Sequence, residues 1–316
     1  MAASDIWLVG DELACRTAQE WAQERSSAAA ITMLTASSLA RRVADPSAGP
    51  RGPEPWLISV NSTAIISRAV LERFGGCTVN IHPGRLPDYG GLYAVQWAIR
   101  LGESATAATA HFMTETLDAG DVIYAAPVPI KSDDTGLSAW LRCLRAQAEV
   151  LKWLLTEITA GRELPRASQD LSLRHCFKAA DALGDQLPSH LHAVEAERWV
   201  RAGNYRPLSS PTYRPTLVIP SPGLTLLLDE VAVSNCGAIT DLEPGEVRAV
   251  GGKLIVGCAA GSVLLLERAR VVASAGLPSE WLRAVGNLDR SSVRAGNRKA
   301  GRSALTDVAE EKASQE

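Results

Sequence analysis

Three polar side chains stand where apolar runs give way to glycine and proline. In VNIHPGRLPDYGG, residues 79–91, a short apolar run over 77–81 is broken by Pro83, Gly84 and Pro87. That pattern reads as a buried strand emptying into a loop, where a polar side chain can meet a ligand. Asn80 and His82 occupy alternate positions, so on a strand they face one side. In LDAGDVI, residues 117–123, Asp118 marks a second apolar-to-glycine boundary. An amide, an imidazole and a carboxylate offered to one pocket make a set for acid–base chemistry on a carbonyl. Taken singly, each has a plainer use: Asn80 as a turn former, His82 as a structural histidine, Asp118 as a turn or cap.

The elements that must position these residues follow from periodicity. Short apolar runs at 6–9, 31–34, 56–60, 77–81, 106–113 and 122–130 read as strands, and the spacing predicts helices over 12–25, 67–74, 93–101 and 137–158. On the long helix, Leu137, Leu141, Leu144, Ala148, Leu151 and Leu155 recur at the spacing of a core-facing stripe. Strands alternating with helices argue for an α/β sheet covered on both sides. A Pro/Gly/Arg-rich stretch over 45–55 reads as a surface loop. Gly10 alone is far short of a dinucleotide fingerprint. Residues 164–192 read as a connector with a short helix near 177–183. From 216 to 272 short apolar runs alternate with turns at Gly251–Gly252 and Ala260–Gly261, the pattern of a small β-barrel. The expected organisation is a catalytic domain over 1–163, a linker over 164–192, a β-rich domain over 193–275 and a loose tail over 276–316.

The ordered motifs N-x-H-P-x-x-L-P-x-Y-x-G from Asn80, W-A-I-x-x-G-E from Trp97, T-x-H-F-M from Thr109 and L-D-A-G-D from Leu117 resemble the folate-dependent formyltransferases. That family includes enzymes acting on phosphoribosylglycinamide, methionyl-tRNA and amino sugars, and the formylation domains of peptide synthetases. The resemblance implies a Rossmann-like sheet with a smaller C-terminal β-barrel-like domain, and 10-formyltetrahydrofolate as co-substrate. Formyl transfer to an amine passes through a tetrahedral oxyanion, so a site needs donors aimed at the formyl oxygen and a path for the amine proton. In that role Asn80 donates to the formyl oxygen, and His82 donates as well or protonates the departing folate nitrogen. Asp118 orients the imidazole and accepts the proton, its pKa lifted by partial burial. Ile65, Ile66, Leu86, Pro87 and Leu117 match positions that line the pterin slot. Trp97 and His111 are typical of the family and take packing and supporting roles. Arg85 and Tyr89 sit on the loop where an acceptor would be read, Arg85 suiting an acidic group. Gly84 replaces the serine usual in the family.

The acceptor is less legible. A formal charge of −3 carries no polyanion-binding signal. Over 195–272, eight Lys/Arg balance eight Asp/Glu, and the L-P-D-Y-G-G loop has an acid and no base, whereas methionyl-tRNA formylases usually carry a base before the glycine of that loop. The motif spacing looks closer to the amino-sugar and peptide-synthetase formylators. A small-molecule or carrier-bound amine is therefore ranked first, tRNA second and a formyltetrahydrofolate hydrolase third. Six scattered cysteines, no signal peptide and no long apolar span suggest a reduced, cytoplasmic protein without a membrane segment. Five widely spaced histidines, with one close pair at His190 and His192, offer no metal-ligand cluster.

Overall fold

The structure, a computed structural model, describes residues 5–25, 30–44, 55–62, 65–178, 181, 184–221, 223–234, 241–274, 277 and 279–295. Most of the loop expected over 45–55 and residues 296–316 of the expected tail lie outside them. Among the described residues no helix is long and apolar enough to cross a membrane. The chain divides into two compact units, Met1–Gly184 with Arg201–Tyr213, and Asp185–Val200 with Arg214–Glu316.

The first unit is built on β1 (Asp5–Gly10), β2 (Ala30–Leu34), β3 (Trp56–Val60), β4 (Thr78–His82), β6 (Ala105–Phe112) and β7 (Val122–Pro129), in the order β2-β1-β3-β4-β6-β7. The first four run parallel, and β6 and β7 are antiparallel to their neighbours. Ile6, Leu8, Ile58, Val79 and Ile81 on one face and Trp7, Val9 and Leu57 on the other are buried, as strands covered on both faces require. The intervening helices are α1 (Glu12–Glu24), α2 (Ala36–Ala44), α3 (Arg68–Arg73), α4 (Ala94–Leu101) and α5 (Gly136–Thr159). Asp11 caps α1 by accepting from Ala14 N, and Thr135 and Ser138 form a capping box on α5.

The buried stripe of α5 is rotated from the expected one. It runs through Ala139, Cys143, Gln147, Val150, Leu151, Leu154, Leu155 and Ile158, while Leu137, Leu141 and Leu144 are half-buried. The polar Gln147 lies within it because its Nε2 donates to Ile81 O at 2.8 Å, the peptide between Asn80 and His82.

Residues 164–192 are more than a connector. The expected helix near 177–183 is not what forms at Phe177. Instead a two-residue strand, β8 (Cys176–Phe177), pairs in parallel with β5 (Gly90–Gly91). Phe177 is buried there, stacked on Trp97 at 4.3 Å between ring centroids. Tertiary packing of one aromatic outweighs a weak helical preference.

Residues 193–200 of α6 (Ala193–Gly203) belong to the second unit, which is built on an antiparallel sheet of β9 (Thr216–Ile219), β10 (Leu224–Ser234), β11 (Val247–Val250), β12 (Lys253–Gly257) and β13 (Val263–Ser274), ordered β11-β12-β13-β10-β9. Gly251 and Gly252, both at positive φ, form the two-residue turn between β11 and β12. The segment expected as a loose tail carries α7 (Ser279–Ala295), which packs on β12 and β13 through Trp281, Ala284 and Leu288. Three apolar residues at i, i+3 and i+7 suffice for one buried helix face, and so few were easy to read as a polar tail.

Candidate active site

The interior strand β4 delivers Asn80 and His82 at its C-terminal end, and its antiparallel partner places His111 opposite Asn80 and Thr109 opposite His82. Thr109 Oγ1 donates to Gly84 O at 2.7 Å and holds the turn beyond His82. A bulge between Ala110 and His111 shifts the register of β6 against β7, at the start of the loop that carries Asp118. Asp118 has φ 52, a left-handed conformation that is rare for a non-glycine residue. Gln169 braces that loop, its Nε2 donating to Asp118 O at 3.1 Å and to Gly120 O at 2.6 Å.

These elements bring the three predicted residues together. His82 Nδ1 lies 3.5 Å from Asp118 Oδ2, and Asn80 Nδ2 lies 3.5 Å from Asp118 Oδ1 and 3.2 Å from His111 Nε2. Gly91 N donates to Asp118 Oδ2 at 2.7 Å. Asp118 is 5% exposed and His82 4%. His82 Nε2 is 2.7 Å from Tyr89 O. A carbonyl only accepts, so Nε2 carries the proton, and in the neutral ring Nδ1 is left bare toward the carboxylate.

The electrostatics differ from the expected lift of Asp118. Burial alone pushes its carboxyl up, but a hydrogen bond from the His111 ring, the charge that His82 carries once it is protonated at low pH, and the Gly91 N–H outweigh that and bring it to about 2. His82 moves down, because burial disfavours the imidazolium more than Asp118 and Tyr89 O favour it. At neutral pH the pair is an ionised carboxylate beside a neutral imidazole, one proton short of a complete hydrogen bond.

The donors of this cluster turn inward. One Asn80 N–H is directed at His111, and the other meets Asp118 only at 3.5 Å, the contact most easily surrendered to an incoming oxygen. His111, whose Nδ1 is 2.9 Å from Phe112 O, presents Nε2 to both Asn80 and Asp118. It thus belongs to the cluster, and its place opposite Asn80 in the ladder is not readable from its own segment.

Gly84 and Gly91 are required by close approach. A Cβ at Gly84 would stand 2.4 Å from Tyr89 O and 2.7 Å from His82 Nε2, which leaves no room for the serine of the family pattern. Gly91, at φ +80, has Phe177 O 2.3 Å from where its Cβ would be.

The loop residues expected to read an acceptor are engaged with one another. Arg85 Nε donates to Asp88 at 2.8 Å and its Nη2 to Glu103 at 3.2 Å, so its charge is neutralised. Tyr89 is buried, its hydroxyl donating to Glu103 at 2.8 Å, and burial together with Glu103 raises its pKa. Among the residues expected to line a pterin slot, Ile65 is 94% and Leu117 56% exposed, Leu86 and Pro87 are half-buried, and Ile66 packs partly against the core beside Val70 and Phe74. Arg68 Nη1 lies 3.4 Å from Glu115 Oε1, tying the start of α3 to the loop of Leu117, so the two exposed apolar side chains stand on neighbouring segments.

Residues 24–153 match the family described as Formyl transferase. The chain is 33% identical over 202 residues to a methionyl-tRNA formyltransferase of Geobacter sulfurreducens, covering 61% of this chain and 56% of that one. It is 33% identical over 98 residues to a phosphoribosylglycinamide formyltransferase of Haemophilus influenzae, covering 31% and 46%. The chain thus spans about half the length of the curated relatives it matches. In fold it is similar to the N-formyltransferase of Helicobacter canadensis in complex with folinic acid and dTDP-3-aminofucose, with a TM-score of 0.62 and 14% identity over 84% of this chain and 99% of that one.

Proposed function

We propose, from the premise that this chain belongs to the formyl transferase family through residues 24–153, that it moves the formyl group of 10-formyltetrahydrofolate to a primary amine. The observation that carries this reading is the buried Asp118 carboxylate facing the bare Nδ1 of His82 at 3.5 Å, with an Asn80 N–H loosely held beside it. When bound, 10-formyltetrahydrofolate supplies an activated formyl group. The exposed Ile65 and Leu117 fit a flat, largely apolar heterocycle, and we assign them to its faces. Asn80 turns its second N–H to the formyl oxygen as charge builds there. The amine nitrogen bonds to the formyl carbon, His82 Nδ1 takes the proton that nitrogen releases while Asp118 Oδ2 accepts its hydrogen bond, and the proton passes on to the folate nitrogen as its bond to the formyl carbon breaks and tetrahydrofolate leaves.

The acceptor we favour is the amine of a small metabolite, an amino sugar or a carrier-bound intermediate. The acid at Asp88, the balanced charge of residues 195–272 and the fold likeness to a protein that binds an amino-sugar nucleotide support it. Methionyl-tRNA is the second reading, favoured by the 33% identity to a methionyl-tRNA formyltransferase. The test is incubation with 10-formyltetrahydrofolate and a panel of charged initiator tRNA, amino-sugar nucleotides, free amines and carrier-bound amines, read by mass spectrometry. One formyl mass gained on a non-tRNA amine supports the reading. Formylation of tRNA alone selects the second, and formate release with no acceptor modified overturns both.

A further inference from the structure

The segment after α5 runs along both loops that carry the cluster. Gln169 braces the Asp118 loop, and His175 exchanges backbone hydrogen bonds with the other, its N donating to Pro87 O at 3.3 Å and its O accepting from Gly90 N at 2.9 Å. Between them Arg174 extends Nη2 to within 2.5 Å of Leu117 O, the carbonyl just before Asp118.

Charge balance sets Arg174 apart. Arg85 meets Asp88 and Glu103, Arg68 meets Glu72 and Glu115, and Arg166 lies 3.8 Å from Asp121. Half-buried Arg174 meets no carboxylate among the described residues, and its buried Nε has no hydrogen-bond partner. A cation drawn partly from water loses hydration that one backbone carbonyl replaces only in part. Guanidinium forks match carboxylate and phosphate oxygens, which would complete its coordination.

We infer that Arg174 is the anion-reading residue of this site, receiving a carboxylate or phosphate on a ligand whose reacting end lies at Asp118. This is the role the sequence suggested for Arg85, whose charge is already spent on Asp88 and Glu103. The inference rests on the formyl-transfer reading and sharpens it: either the glutamate of the co-substrate or an acidic group of the acceptor is held here.

The test compares the full chain with Arg174→Gln, which retains a donor for Leu117 O, and with Arg174→Lys. Equilibrium binding is measured for folinic acid and for the same compound lacking its glutamate. Formyl transfer is measured to an amino-sugar phosphate and to the same sugar without phosphate. If the co-substrate supplies the anion, the unmutated chain binds folinic acid about tenfold more tightly than the shortened compound, and Arg174→Gln erases the difference. If the acceptor supplies it, folinic acid binding is unchanged while the KM of the phosphorylated acceptor rises about tenfold at constant kcat. Arg174→Lys restores part of either effect. Unchanged binding and KM in Arg174→Gln, or a fall in kcat alone, overturns the inference and makes Arg174 a prop for the Leu117 loop. Failure of the unmutated chain to bind folinic acid overturns the formyl-transfer reading as well.

Discussion

Around Arg85 the charges are paired at short range: the guanidinium reaches Asp88 and Glu103, and the Tyr89 hydroxyl reaches Glu103, at 2.8 to 3.2 Å. Around Asp118, reached by the other end of the same stretch of chain, contacts among the side chains stretch to 3.4 and 3.5 Å, and a carboxylate confronts a bare imidazole nitrogen. The outer cluster is complete and fixes the loop. The inner one lacks a proton and holds its carboxylate on a left-handed residue. Complete networks stabilise a fold, whereas one that is a proton short is ready to receive it.

The comparison breaks most readily at Asp118. Asp118→Asn keeps the volume and removes the charge, and steady-state assay at saturating substrates should show kcat reduced by roughly 10²- to 10⁴-fold, with a lower melting temperature because the depressed pKa makes that charge stabilising. Asn80→Ala removes the donor for the formyl oxygen and should lower kcat on the order of 100-fold or more in the same assay. Gly91→Ala attacks the frame instead. The strained φ and the clash with Phe177 O should cost about 2 kcal/mol in urea unfolding, since β5 and β8 would be forced apart.

The titrations sharpen the contrast. The folded-state pKa of His82 lies below the ordinary 6.5, so its protonation favours the unfolded chain. Stability should fall as pH drops below 6.5, with a slope from this group of at most about 1.4 kcal/mol per pH unit, and level off below the folded value. Asp118, depressed to about 2, contributes stability that is present above 3.8 and lost as pH falls towards 2. Urea titrations across pH should show the first slope vanish in His82→Gln; a slope that persists would place it elsewhere. The smallest effect belongs to the outer cluster. Tyr89→Phe removes one hydrogen bond and should reduce stability by about 1 kcal/mol with kcat unchanged.

Much of the inner cluster was legible because its members sit where apolar runs end, and period-two alternation alone puts Asn80 and His82 on one face. The alternation of elements likewise gave the α/β sheet, although nothing local announces that β6 and β7 run antiparallel. What stayed hidden depends on partners distant in sequence. Arg85 is neutralised by Glu103 eighteen residues away, His111 meets Asn80 across a strand pair, and Gln169 and Arg174 reach the Asp118 loop from some fifty residues downstream. The pKa of Asp118 departs from the expected lift for the same reason, since its burial is legible in the sequence and the groups that outweigh it lie elsewhere in the chain.

The most direct test is ¹⁵N NMR of the histidine side chains as a function of pH. The account predicts that His82 is neutral at pH 7, with Nε2 protonated and Nδ1 bare, that it titrates below 6.5, and that the Nδ1 resonance moves in Asp118→Asn. An imidazolium at pH 7, already sharing its proton with Asp118, would mean that the cluster is as complete as the one around Arg85, and the proposed proton acceptor would be lost.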